Sequence, residues 1–162
     1  MTDSTKTSTP AAPQYGQGDT SFIAAGGEAG LARLVEAFYR IMGERPEAKR
    51  VFEMHGDTMP VAIDKLSRFL CGWLGGPRRY NEKYGVIRLP MAHLHLPITE
   101  DDARAWLDCM QAALDEQDYD PGFVKYLMSA FAVPAGRIVM AVKASGKSAH
   151  RSADSAPTKE SP

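Results

Sequence analysis

The run from Arg88 to Ile98, Arg-Leu-Pro-Met-Ala-His-Leu-His-Leu-Pro-Ile, puts His93 and His95 on a short apolar stretch fenced by Pro90 and Pro97. A neutral imidazole is the commonest protein metal ligand and also a general base near neutral pH. A histidine on an apolar segment is more often a hydrogen-bonded core residue than a ligand, so residue type alone does not establish the role. Two residues apart on a helix, the two side chains point about 200° away from each other, and only one can face a given site. Pro90 suits a first helical turn and Pro97 pushes Leu96 out of the helical region, which predicts a helix of barely two turns. His93 then sits near its middle. His95 falls in the last turn, where exposed carbonyls favour a charged ring. A ligand must be neutral and rigidly placed, which suits His93.

Other chemistries find no support. The chain has no Cys-x-x-Cys-His, no two histidines four apart on a helix, no phosphate-binding glycine loop and no Gly-x-Ser-x-Gly elbow. Cys71 and Cys109 read as small buried hydrophobes, and two cysteines are too few for a disulfide framework, which makes a reducing cytoplasm the expected location. A net charge of −1, from 19 basic and 20 acidic residues, offers no footprint for nucleic acid or an anionic membrane. No uninterrupted apolar run approaches the roughly 18 residues needed to span a bilayer.

The elements that would position the histidines are all helical. Leu31, Leu34, Val35, Phe38, Tyr39 and Met42 recur at helical spacing as one broad apolar face, closed by Gly43 and Pro46. Pro46 opens a short helix through Val51 and Phe52. The next begins at Thr58 or Met59, buries Ile63, Leu66, Leu70, Trp73 and Leu74, and stops at Gly75-Gly76-Pro77. Residues 78–87 show no repeating face and read as a polar loop. Thr99 with Asp102 three residues on is a helix start of capping-box type, leading to Ala103, Trp106, Leu107, Met110 and Leu114. Asp120-Pro121 starts a last helix bearing Phe123, Leu127 and Phe131, with Pro134 inside it. Strand signals are missing, so the predicted class is all-α. The 162 residues suit one domain over 21–143; residues 1–20 and 144–162 offer little to bury and are expected to be disordered.

Periodicity alone yields a small helical globule, which could equally be a binding module without any cofactor. Three segments taken together add more. Phe69-Leu70-Cys71-Gly72-Trp73-Leu74-Gly75-Gly76-Pro77, the His93 stretch and Ala105-Trp106-Leu107-Asp108-Cys109-Met110 agree in order and spacing with one family. From about Ser21 to Val142 the chain resembles the truncated haemoglobins of the second group. The resemblance implies a two-over-two helical sandwich around haem b, with His93 as the proximal iron ligand. It implies distal ligand-binding roles for Tyr39, Trp106 and His55, and a haem pocket that includes Phe38, Phe52, Ala62, Leu66 and Phe69. Relatives place arginines where this chain has Ala92 and Pro90, so the haem propionates are expected to lean on Arg88, Tyr80 and Lys83.

The implied function is reversible binding of oxygen and other diatomic gases, as oxygen binding or transport, by a monomer or homodimer. The alternative on the same scaffold is a redox enzyme, peroxidase-like or nitric-oxide-oxidising, served by an external reductase. Tyr39 and the Trp106 indole would donate hydrogen bonds to a partly anionic ligand, with His55 as a third donor. The choice between the two histidines is testable. His93→Ala should lose haem, or hold it weakly with rescue by added imidazole, while His95→Ala keeps a normal Soret spectrum. The reverse pattern would shift the proximal register by two residues.

Overall fold

The computed structural model describes residues 11–153, with their side chains through Gly146. Its helices are α1 (Thr20–Ala24), α2 (Gly27–Glu44), α3 (Lys49–Met54), α4 (Met59–Trp73), α5 (Arg79–Tyr84), α6 (Leu89–Ala92), α7 (Glu100–Asp115) and α8 (Pro121–Ala153), with a 3-10 turn at Pro46–Ala48. No strand occurs among the described residues. Helix α2 packs on both α4 and α7, and α7 on α8, which makes two helix pairs joined through α2. The predicted face of α2 is the centre of the core: Leu31, Leu34, Val35, Phe38 and Met42 are all essentially inaccessible. Phe123 and Leu127 of α8 and Met110 and Leu114 of α7 close it from the other layer.

Gly75-Gly76-Pro77 does more than end α4. Gly75 adopts φ +94°, and a Cβ there would lie 1.9 Å from the Gly18 carbonyl oxygen. A Cβ on Gly76 would lie 2.5 Å from the Phe22 ring. Only glycine lets the N-terminal segment cross here, and the Phe22 amide seals the crossing with a bond to the Leu74 carbonyl at 3.0 Å. That segment is folded further out than its composition suggests. Tyr15 packs on Phe123 and Tyr126, with ring centroids 4.9 and 5.4 Å apart. The expected disorder over 1–20 therefore does not extend to residues 15–20, and residues 1–10 lie outside the described part. At the other end α8 continues to Ala153, past the boundary expected at 144; residues 154–162 lie outside the described part. Alanine and lysine there favour a helix by intrinsic propensity, which a reading based on apolar content overlooks. The stretch Pro121–Gly146, mean hydropathy 1.4, is long and apolar enough to cross a bilayer. Lys125, Arg137 and Lys143 interrupt it, which hides it from a count of consecutive apolar residues. In the fold its Phe123, Leu127, Phe131 and Val139 are buried against the globule.

Two local expectations are corrected. Residues 79–84 form a helix instead of a loop. It has no apolar stripe because polar ties dock it: Arg79 pairs with Glu28 at 3.0 Å, and Asp64 of α4 accepts from Lys83 at 2.8 Å and the Tyr84 hydroxyl at 2.7 Å. The helix around His93 is a single turn, Leu89–Ala92, with His93 as its C-cap. Beyond the Ala92 amide, which reaches back to the Arg88 carbonyl, the chain closes only three-residue turns: His93 to Pro90, Leu94 to Met91 and Leu96 to His93. The capping box at Thr99 and Asp102 is present as expected.

Hydrogen bonds from Lys83 and Tyr84, joined by Arg68, hold the Asp64 carboxyl well below the usual carboxylate range. A depressed folded-state value means the contribution is complete above the unfolded value near 4 and is lost as pH falls below it. Asp64→Asn should lower the melting temperature by roughly 2–4 °C at pH 7, with the gap to wild type closing on acidification. A gap that stays constant down to strongly acidic pH would show that the Asp64 charge does not hold α5.

Candidate functional site

Between α2, α3, α4, α5, α6, α7 and α8 lies a cavity of about 310 Å³, lined mainly by apolar side chains. Tyr39 enters it from α2, His55 from the end of α3, Ala62, Leu66 and Phe69 from α4, and Trp106 from α7. The segment around α6 supplies Leu89, His93, Leu96 and Ile98. His93 is half-buried and lines the cavity; His95 is exposed and does not. The fold thus separates the two histidines as their spacing requires.

His93 is held by its own helix end. Its Nδ1 lies 2.6 Å from the Leu89 carbonyl, one of the carbonyls a helix C-terminus leaves without an internal partner. A carbonyl only accepts, so Nδ1 carries the hydrogen, and the neutral ring keeps its lone pair on Nε2. His55 repeats the device at the C-cap of α3: Nδ1 lies 2.8 Å from the Val51 carbonyl. Burial lowers the His55 pKa, outweighing the opposing pull of that carbonyl, so its ring is neutral at pH 7. Neutral His55 therefore offers an acceptor nitrogen, and the third donor expected there is an acceptor instead.

Tyr39 is 6% exposed, and its ring meets His55 edge-on, at 90° with centroids 5.2 Å apart. Burial, reinforced by Asp57, raises the phenol far above its ordinary value, so the hydroxyl keeps its proton. The Trp106 indole is wedged edge-on between Phe38 at 4.9 Å and Phe131 at 5.7 Å. The Tyr39 and Trp106 side chains both line the cavity, and neither the hydroxyl nor the N–H is sealed off as a buried orphan: among the described residues the buried side-chain polar atom without a partner is Ser67 Oγ.

Two expected pocket residues stand outside it. Phe38 is fully buried behind Tyr39 and Trp106, supporting both, and Phe52 packs towards Gly43. Both belong to the apolar helix faces, and sequence spacing does not distinguish a wall from what backs it. Of the three residues expected at an anionic group, Tyr80 lines the cavity, edge-on to Phe69. Lys83 is tied to Asp64, and Arg88 is exposed, outside the lining. The cation at the cavity is Lys65, which sequence reasoning missed; its Nζ lies 2.7 Å from Asp57. Its position between Ala62 and Phe69 on the cavity face of α4 was the available signal. Asp102 also lines the cavity, 6% exposed.

Known proteins share this fold. Residues 20–136 match the bacterial-like globin family. A group 2 truncated haemoglobin of Bacillus subtilis (strain 168) is 32% identical over 122 residues, covering 75% of this chain and 90% of that protein. A cold-adapted truncated haemoglobin from the Antarctic marine bacterium Pseudoalteromonas haloplanktis TAC125 superimposes with a TM-score of 0.70 at 30% identity, over 74% of this chain and 96% of that one. The structure of a truncated haemoglobin from Bacillus subtilis described as oxygen-avid gives 0.66 at 32% identity, over 74% of this chain and 98% of that one. An all-α globin fold, matched family residues across most of the chain and relatives covered almost end to end agree: this chain is a bacterial-like globin of the group II truncated haemoglobins.

Proposed function

We propose that this protein binds oxygen and related diatomic gases reversibly on haem b held in the cavity between His93 and the Tyr39–Trp106 wall. The observation that carries this reading is the pairing of a fixed imidazole lone pair with two donors in one apolar cavity. Donors that face a mostly apolar cavity and an imidazole lone pair aimed at it are groups that a bound ligand can engage. Haem fits these groups: an apolar plate for the walls, a metal for the imidazole, and acidic side groups for Lys65 and Tyr80. When bound, it would supply an iron able to take a diatomic gas.

The residues do the rest. His93, its Nδ1–H given to Leu89, would present Nε2 in one orientation, because the second hydrogen bond of a ligating histidine fixes both tautomer and ring angle. Tyr39 and Trp106 offer donors that need no reorganisation when negative charge appears beside them. Leu66, Phe69 and Phe131 exclude water, which strengthens each such bond. A hydrogen bond to a charged acceptor contributes roughly 1.5–3 kcal/mol net, so two would slow ligand release by on the order of a hundredfold or more. That favours a tightly held ligand, in keeping with the Bacillus subtilis relative described as oxygen-avid.

Trp106→Leu keeps an apolar wall and removes one donor; oxygen should dissociate roughly tenfold faster or more. Tyr39→Phe should act likewise. Carbon monoxide, a poorer acceptor, should respond much less in stopped-flow displacement. Equal acceleration of both gases would make the two residues steric walls and refute the donor role.

A further inference from the structure

One exposed arginine touches the three segments that carry the site. Arg50 of α3 sets its Nε against both carboxylate oxygens of Asp102, at 3.0 and 3.2 Å, and its Nη2 donates to the Pro97 carbonyl at 2.6 Å. Asp102 in turn accepts from the Thr99 amide at 2.8 Å and the Thr99 hydroxyl at 2.9 Å. Each contact stands next to a site residue. Val51, which follows Arg50, supplies the carbonyl that fixes the His55 ring. Asp102 lies one helical turn before Trp106, on the same face of α7. Pro97 stands between Leu96 and Ile98, both lining the cavity, at the end of the segment that carries His93.

We propose that Arg50 is a positioning residue that couples the distal wall of the cavity, through α3 and α7, to the proximal segment carrying His93. An ion pair with one partner 55% exposed is worth little as stability, which is why its geometry matters more than its charge. The guanidinium is a rigid planar fork able to hold a carboxylate edge and a carbonyl at fixed angles to each other; an ammonium cannot do both. Without the fork, α3 and the 93–98 segment are free to shift independently, and a donor displaced by a fraction of an ångström loses its bond to a ligand. Apolar packing anchors this segment only in part: α6 is a single turn without a fully buried residue, and Leu89, Leu96 and Ile98 are half-buried.

The proposal rests on the reading that the cavity holds haem, and its test separates the two. In the full-length protein Arg50→Met and Arg50→Lys are compared with Arg104→Met, which breaks the exposed Arg104–Asp101 pair in the first turn of the same α7. Two quantities are read: oxygen dissociation from the haem-loaded protein, and the imidazole nitrogen shifts of His55 and His93 by NMR in the haem-free protein. Arg50→Met should speed dissociation by roughly two- to thirtyfold and move the signals of both histidines. Arg50→Lys, which keeps the charge and so the fold, should show the same effects at smaller size, and Arg104→Met neither. Both histidine signals moving in a protein that takes up no haem would support the coupling and overturn the haem reading. Wild-type shifts at His93 in both Arg50 variants would overturn the coupling, as would a lowered melting temperature with an unchanged dissociation rate.

Discussion

The fold is arranged around a cavity that a protein of this size can keep open only with effort. Some 310 Å³ of mostly apolar space is lined by Tyr39 and Trp106 among others. Close packing around such a void would gain dispersion energy, so collapse is the competing state. What resists it is rigidity in the walls. Phe38, inaccessible behind Tyr39 and Trp106, stacks edge-on against both and backs them from the core of α2. On the far side Trp73 and Phe131 stack at 5.1 Å, nearly parallel, and brace α4 against α8. The core of this globin is therefore a frame for the cavity, and its best-packed residues stand one layer behind the functional ones.

The proximal side is built on another principle. It has little apolar surface to anchor it: α5 and α6 contain no fully buried residue. Polar ties take over, with Asp64 drawing in Lys83 and Tyr84, Arg79 reaching Glu28, and Arg50 reaching Pro97. Such ties specify geometry well and add little stability, because most of their partners remain in contact with water. A segment held this way can be displaced at modest cost, which suits the side of a cavity through which a large flat group would have to enter.

The sequence made the frame legible and the polar side much less so. The α2 face, the capping box at Thr99 and Asp102 and the glycine stop at Gly75-Gly76 were readable because each is a local rule with a fixed spacing. The helix at 79–84 was not, since its reason for folding lies in Asp64, Glu28 and Phe69, which are distant in sequence. The same limit explains Lys83 and Arg88. A basic residue near a site in sequence need not point at it: Lys83 is turned to Asp64 and Arg88 to solvent, whereas Lys65, although paired with Asp57, sits on the cavity face of α4. Tyr15 and the extension of α8 were missed for a related reason: composition averages conceal one well-placed aromatic ring and a helix continued by backbone propensity. The roles of His93, Tyr39 and Trp106 came through family resemblance, because on spacing alone each is an ordinary core or half-buried side chain.

Burial also settles which way the polar groups of the cavity face chemically. It raises the Tyr39 phenol and lowers the His55 imidazolium, in each case favouring the neutral form. A neutral phenol is a donor; a neutral imidazole whose Nδ1–H is committed to the Val51 carbonyl is an acceptor. One physical cause thus fixes opposite hydrogen-bonding characters on two side chains whose rings are 5.2 Å apart. This side of the cavity accordingly shows two donors, Tyr39 and Trp106, and one acceptor, and burial is the common reason that Tyr39 and His55 differ.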